Sequence, residues 1–133
     1  MLRKINIICV GSLKKEYLKS LEKEYLQNIN LIKIKESNVN TESEEILNII
    51  NKKNNTYSVL FDLEGNELSE RLVFNIKDKY NKNYNLCFII GGSCGVNYNV
   101  KKYCDIVLKL SDLTYSHQIF RISAILAIRK FIS

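Results

Sequence analysis

Five short apolar runs rich in β-branched residues alternate along this chain with stretches of helical periodicity, and that alternation leaves few folds open. Residues 5–10 are mostly apolar and close on Gly11, as a buried strand does. Over residues 14–28, Leu18, Leu21 and Tyr25 recur at steps of three and four with charges between them, which makes one face of an amphipathic helix. Residues 29–35 alternate apolar with polar and predict a half-buried strand, followed by an aperiodic loop at 36–40. Thr41-x-x-Glu44 has capping-box spacing ahead of Ile46, Ile49 and Ile50, and predicts the start of a second helix. Asparagines and lysines break the pattern at 51–56. Residues 57–63 return to strand and end in a turn at Gly65 and Asn66, after which Ser69 is placed to cap a helix carrying Leu72, Ile76 and Tyr80. A strand at 85–90 runs into the glycine loop 91–95, a short and weakly helical link leads to a strand at 105–110, and a last helix follows residues 111–117. Strands alternating with helices at this spacing predict an α/β fold with a parallel sheet and helices on both faces. At 133 residues, without linker, repeat or low-complexity tract, the chain reads as a single domain, 1–133.

Composition narrows the class. Hydrophobic residues at 46% and charged residues at 26% describe a globular chain rather than a disordered one. No stretch reaches the roughly 20 apolar residues of a membrane span, so the expectation is a cytoplasmic protein without a membrane partner. Cys9, Cys87, Cys94 and Cys104 have no CxxC spacing and read as buried thiols, and with His117 the only histidine a zinc site is not expected. The net charge of +6 favours an acidic partner such as nucleic acid. A biased coding composition accounts for the same excess, because lysine supplies 16 of the 20 basic residues in a chain with 16 Asn, 18 Ile and no Pro.

The last helix differs from the others. Ile119, Phe120, Ile122, Ala124, Ile125, Leu126, Ile128, Phe131 and Ile132 nearly encircle it, more than one sheet face can cover. It is either buried by a second subunit or a central core helix.

Open parallel sheets bind ligands at the carboxyl ends of their strands, which directs attention to residues 61–65, 91–95 and 110–117. Gly91, Gly92 and Gly95 allow positive φ and close approach of a ligand, or simply a tight turn; the loop matches neither G-x-G-x-x-G nor a P-loop. The run Ser111-Asp112-Leu113-Thr114-Tyr115-Ser116-His117-Gln118 gathers hydroxyls, a carboxylate, an imidazole and an amide between strand and helix, where functional groups collect. A hydrolase triad is disfavoured, since no G-x-S-x-G elbow exists and Asp112 is only five residues from His117. His117 on its own serves equally as a structural group at a helix start.

Two segments, I-I-G-G-S-C-G at residues 89–95 and L-S-D-L-T-Y-S-H-Q-I-F-R at 110–121, together resemble the ribosomal RNA large subunit methyltransferase H family of the SPOUT class. I-I-C-V-G-S-L-K at 7–14 and L-F-D-L-E-G at 60–65 fall at that family's expected places, so the resemblance covers nearly the whole chain. It implies a trefoil knot in the carboxyl-terminal half, a homodimer, and S-adenosylmethionine held by the knot loops. Carried onto this sequence, cofactor contacts fall at Phe61, where the family often has Leu, at Gly91, and at Leu110, Ser111, Asp112, Leu113, Thr114 and Tyr115. The implied reaction is methylation of ring nitrogen 3 of a pseudouridine in helix 69 of 23S rRNA on the assembled ribosome.

That chemistry calls for a proton acceptor and an in-line approach, roles for which His117 is the imidazole at hand. Arg121, one turn later, is placed to bind a phosphate or stabilise the uracil anion, or else to serve as a solvated or dimer-facing cation. Two departures from the family pattern stand out. Ser116 replaces the usual Pro before His-Gln, and the sequence ends at Phe131-Ile132-Ser133, short of a family tail that contains a Tyr-His pair. The second departure leaves open an alternative, a catalytically weakened dimeric module that retains cofactor and ribosome binding.

Overall fold

The computed structural model describes residues 5–51, 55–110 and 116–132. Five strands and five helices alternate: β1 (Ile5–Val10), α1 (Glu16–Tyr25), β2 (Asn30–Ile34), α2 (Val39–Asn51), β3 (Thr56–Glu67), α3 (Glu70–Asn81), β4 (Asn85–Ile90), α4 (Tyr98–Tyr103), β5 (Ile106–Lys109) and α5 (His117–Ile132). The strands form one parallel sheet in the order β2-β1-β4-β3-β5, with Ile8 opposite Ile89 and Phe61 opposite both Ile90 and Leu108. The expected α/β architecture with a parallel sheet is therefore present.

Alternation along the strands sends successive side chains to opposite faces. Ile7, Phe88, Ile90, Phe61 and Leu108 pack against Ala124, Ile125, Ile128 and Phe131 of α5 and Ile76 of α3. Ile8, Ile89 and Leu60 meet Ile46 and Ile50 of α2 and Val100 of α4 on the other face. Both faces are thus covered, as a buried parallel sheet requires. Among the described residues no helix is long and apolar enough to cross a membrane.

Several local expectations need correction. Helix α2 begins at Val39 rather than after Thr41: Asn38 Oδ1 accepts from the Thr41 amide at 2.9 Å and the Asn38 carbonyl accepts from Glu42 N at 3.0 Å, so the cap is Asn38. Ser69 does cap α3, accepting from Leu72 N at 3.3 Å. The weakly helical link is α4, capped by Asn97 and tied to α2 by a 2.9 Å bond from Asn97 N to Ser43 Oγ.

Strand β3 does not stop at a turn near Gly65. It bends and pairs with β5 twice, first through Phe61 and again through Asn66, both opposite Leu108. A Cβ on Gly65 would lie 2.7 Å from the Leu108 carbonyl carbon and 2.8 Å from that of Val107, so only glycine lets the two backbones approach so closely. Of the thiols, Cys9 and Cys87 are buried and Cys104 partly so, but Cys94 is exposed because it sits at the outside of the glycine turn.

Candidate functional site

The turn after β4 shapes the region where the strands end. Gly95 N donates to Gly92 O at 2.9 Å and the two residues form an antiparallel bridge, while Gly95 takes a φ of +76° that favours glycine. A Cβ on Gly91 would sit 2.9 Å from both the Gly95 carbonyl carbon and Val96 Cγ1, so glycine at this position lets the loop close upon itself. Gly92 lies against the buried carboxylate of Glu42, whose other oxygen accepts from Ser37 N at 2.7 Å. Glu42 thereby clamps the turn to the loop before α2.

Two clefts open beside this turn. The smaller, about 180 Å³, is lined by Phe61, Leu63, Phe120 and the backbone of Gly91 and Gly95. The larger, about 510 Å³, is lined by the β1–α1 turn with Lys14 and Lys15, by Tyr17 and Leu18 of α1, by Glu36, and by the start of α5. His117, Gly92 and Ser93 line both. His117 thus stands where the two clefts adjoin.

Ser116 explains how His117 is held. Its carbonyl accepts from Phe120 N at 2.9 Å and its hydroxyl from Ile119 N at 3.4 Å, so Ser116, not His117, caps α5. Burial lowers the His117 pKa from its ordinary 6.5, the nearby Arg121 cation lowers it further, and Glu36 and Glu42 oppose the shift. The imidazole is therefore neutral near pH 7 and able to accept a proton.

Arg121 is only 1% exposed and is fully engaged. Its Nε donates to Glu22 Oε2 at 2.7 Å, Nη2 donates to Glu22 Oε1 at 3.2 Å, and Nη1 donates to the Gly11 carbonyl at 3.0 Å. Such a forked pair is strong, and removing one partner alone strands a buried charge at a cost of about 3–5 kcal/mol. The sequence expectation of a phosphate-binding or anion-stabilising cation meets a guanidinium already committed within its own chain. Its geometry is that of a group that holds the floor of the larger cleft.

Phe61, Gly91 and His117 are brought to one cleft, although the Phe61 ring points into the core and stacks on Phe88 at 6.1 Å between centroids. Leu110 packs against the same core at the end of β5. Ser111, Asp112, Leu113, Thr114 and Tyr115 lie outside the described residues. Among the described residues no group of three or more His, Cys, Asp or Glu is placed to hold a metal ion.

Reading the sequence missed Glu22 and the partner of Gln118. Glu22 had a visible signal, since it falls four residues after Leu18 and three before Tyr25, on the apolar face of α1. Gln118 accepts from Lys14 N at 3.0 Å, joining the β1–α1 turn to α5 across 104 positions of sequence. Nothing in the local pattern signals that contact.

Residues 3–128 match the family described as predicted SPOUT methyltransferase. The chain is also similar to the ribosomal RNA large subunit methyltransferase H of Fusobacterium nucleatum subsp. nucleatum, 38% identical over 136 residues that cover 89% of this chain and 86% of that protein. The protein of the same name from Caldicellulosiruptor saccharolyticus is 35% identical and that from Clostridium botulinum strain Alaska E43 is 33% identical, each with the same coverage.

Proposed function

The chain belongs to the SPOUT methyltransferases, in the ribosomal RNA large subunit methyltransferase H family, and we propose that it methylates ring nitrogen 3 of a pseudouridine in helix 69 of 23S rRNA on the assembled ribosome. The observation that carries this reading is the position of His117 in the wall shared by a small cleft at the glycine turn and a larger, lysine-lined one. A cofactor on one side and a nucleotide on the other would meet at that partition.

The smaller cleft fits S-adenosylmethionine in kind. Leu63 and Phe120 offer apolar surface to an adenine, Phe61 backs the cleft from the core, and the backbone around Gly91 offers hydrogen-bonding groups at close range. Leu110 and the residues Ser111, Asp112, Leu113, Thr114 and Tyr115 complete the cofactor set in this proposal. When bound, the cofactor supplies a methyl group on a sulfonium, ready for displacement.

The larger cleft suits RNA. Lys14 and Lys15 are exposed at its rim, where they can meet phosphates, and Tyr17 is 59% exposed and available to stack on a base. The bond from Lys14 N to Gln118 Oε1 fixes this rim relative to His117. His117 would accept the proton that the ring nitrogen gives up on methylation, and Arg121 acts as a positioning residue beneath it.

The proposal extends to one domain over residues 1–133, a trefoil knot in its carboxyl-terminal half, a homodimer, and action in the cytoplasm. Support for the dimer comes from α5, where Ile119 and Leu126 are seven residues apart on one stripe and each 39% exposed. The test is incubation with labelled S-adenosylmethionine and ribosomes lacking the helix 69 methyl group, then mapping of the labelled nucleotide. Label on that pseudouridine is expected. Cofactor binding without transfer would instead favour the weakened binding module, and no cofactor binding would overturn the proposal.

A further inference from the structure

Glu22 is a buried carboxylate on α1, and both of its oxygens accept from Arg121. We propose that Glu22 is a positioning residue that, through Arg121, fixes the β1–α1 turn against the start of α5 and so sets where His117 stands between the two clefts. The inference rests on the proposed methyl-transfer site, which it deepens.

The geometry gives each link. Both carboxylate oxygens of Glu22 accept from Arg121, which leaves Nη1 to donate to the carbonyl of Gly11, the residue with φ +73° where β1 ends. Arg121 lies one helical turn after His117 on α5, and Glu22 is on the buried face of α1 beside Leu18. Three segments far apart in sequence are thus joined by one guanidinium, at 2.7 to 3.2 Å from its partners on α1 and the β1–α1 turn. A planar fork restricts orientation as well as distance, which a lysine at the same place would not do. Without Glu22 the guanidinium keeps its attachment to the turn but loses the anchor that aims it.

The charges facing His117 come from several elements. Arg121 lies on its own helix, Glu36 on the loop before α2, Glu42 on α2, and Lys14 and Lys15 on the β1–α1 turn, while Asp62, next to Phe61 in the middle of β3, lines the smaller cleft. Arg121 is the one that Glu22 holds. Because burial and Arg121 both lower the His117 pKa, moving or removing that cation changes where the imidazole titrates.

His117 is the only histidine, so its NMR titration in the untagged protein needs no assignment. Two variants are compared with the wild type: Glu22→Gln, which keeps one hydrogen-bond acceptor, and the double exchange Glu22→Leu with Arg121→Met, which removes both charges and keeps the fold if Glu22→Gln does not. The expected result is an upward shift of the His117 titration in the double variant, through loss of the Arg121 charge, and a shift in Glu22→Gln, whose guanidinium is released to move. In the transfer assay kcat falls at least tenfold with the KM for S-adenosylmethionine unchanged. A His117 titration that stays at its wild-type midpoint in every variant that folds would overturn the proposal. Failure of the wild type to methylate ribosomes would count against the methyl-transfer site alone, since the titration reads the Glu22 linkage without it.

Discussion

Replacing Gly65 by alanine probes the place where β3 bulges before it resumes its parallel pairing with β5. The added Cβ would lie 2.7 Å from the Leu108 carbonyl carbon and 2.8 Å from both the carbonyl carbon and oxygen of Val107. All three are backbone atoms of a paired strand, so no side chain can rotate away to relieve the overlap. Overpacking a core generally costs about 1–3 kcal/mol, and a clash with immobile backbone belongs at the upper end, about 3 kcal/mol. For a domain of this size that corresponds to a fall in Tm of roughly 10 °C. Gly95→Ala is the matched control. Its Cβ would meet nothing within 4 Å, but its φ of +76° is left-handed, which predicts a loss of only about 1–2 kcal/mol. Both variants are measured by urea denaturation and by thermal melts followed by circular dichroism. A Gly65→Ala protein within about 0.5 kcal/mol of the wild type, or less destabilised than Gly95→Ala, would refute the close approach of the β3 and β5 backbones at Gly65.

Three further expectations follow from the site and the core. His117 has a folded pKa below its unfolded 6.5, so the stability it contributes is present above pH 6.5 and is lost as pH falls from there through the folded value; melts from pH 8 to 5 should show that decline, and His117→Gln should lessen it. Cys94 is exposed, whereas burial pushes Cys9 up to about 11 and Cys87 and Cys104 up to about 12; iodoacetamide at pH 7.5 should therefore modify one thiol per native chain and four in urea, by mass spectrometry. Exchanging Lys14 and Lys15 together for glutamine should weaken ribosome binding and reduce the slope of log affinity against log salt by about two, read from binding titrations at several salt concentrations.

Much of the fold was legible because its strands are buried on both faces. The bounds of β1 and β4 agree with the apolar runs at 5–10 and 85–90, since nothing but a central strand keeps six consecutive residues so nearly dry. Ser69 was legible because a hydroxyl cap acts on the amide three residues along, within the same short stretch. The start of α2 was misplaced because Asn38 offers the same service as a hydroxyl, three residues earlier than the Thr41-x-x-Glu44 pattern suggested. The second pairing of β3 with β5 was hidden, as Gly65 looks like an ordinary turn glycine until the backbone of Val107 and Leu108 is set against it.

At the site, local chemistry was readable and long-range commitment was not. Phe61, Gly91 and His117 were drawn together by the rule that ligands gather at strand ends, and they do share a cleft. Arg121 looked like a free cation because its partners, Glu22 and Gly11, are 99 and 110 positions away. The encircling apolar residues of α5 divide in the structure. Ala124, Ile125, Ile128 and Phe131 face the sheet, while Ile119 and Leu126 remain exposed on the opposite side.

Single-turnover methyl transfer to helix 69 by the wild type and by His117→Gln, with the S-adenosylmethionine affinity of each determined by calorimetry, tests directly whether cofactor and nucleotide meet at His117. Labelled pseudouridine is expected with the wild type, and a rate lower by about 10²–10⁴-fold in the variant at nearly unchanged cofactor affinity. Equal rates for the two proteins would exclude that arrangement.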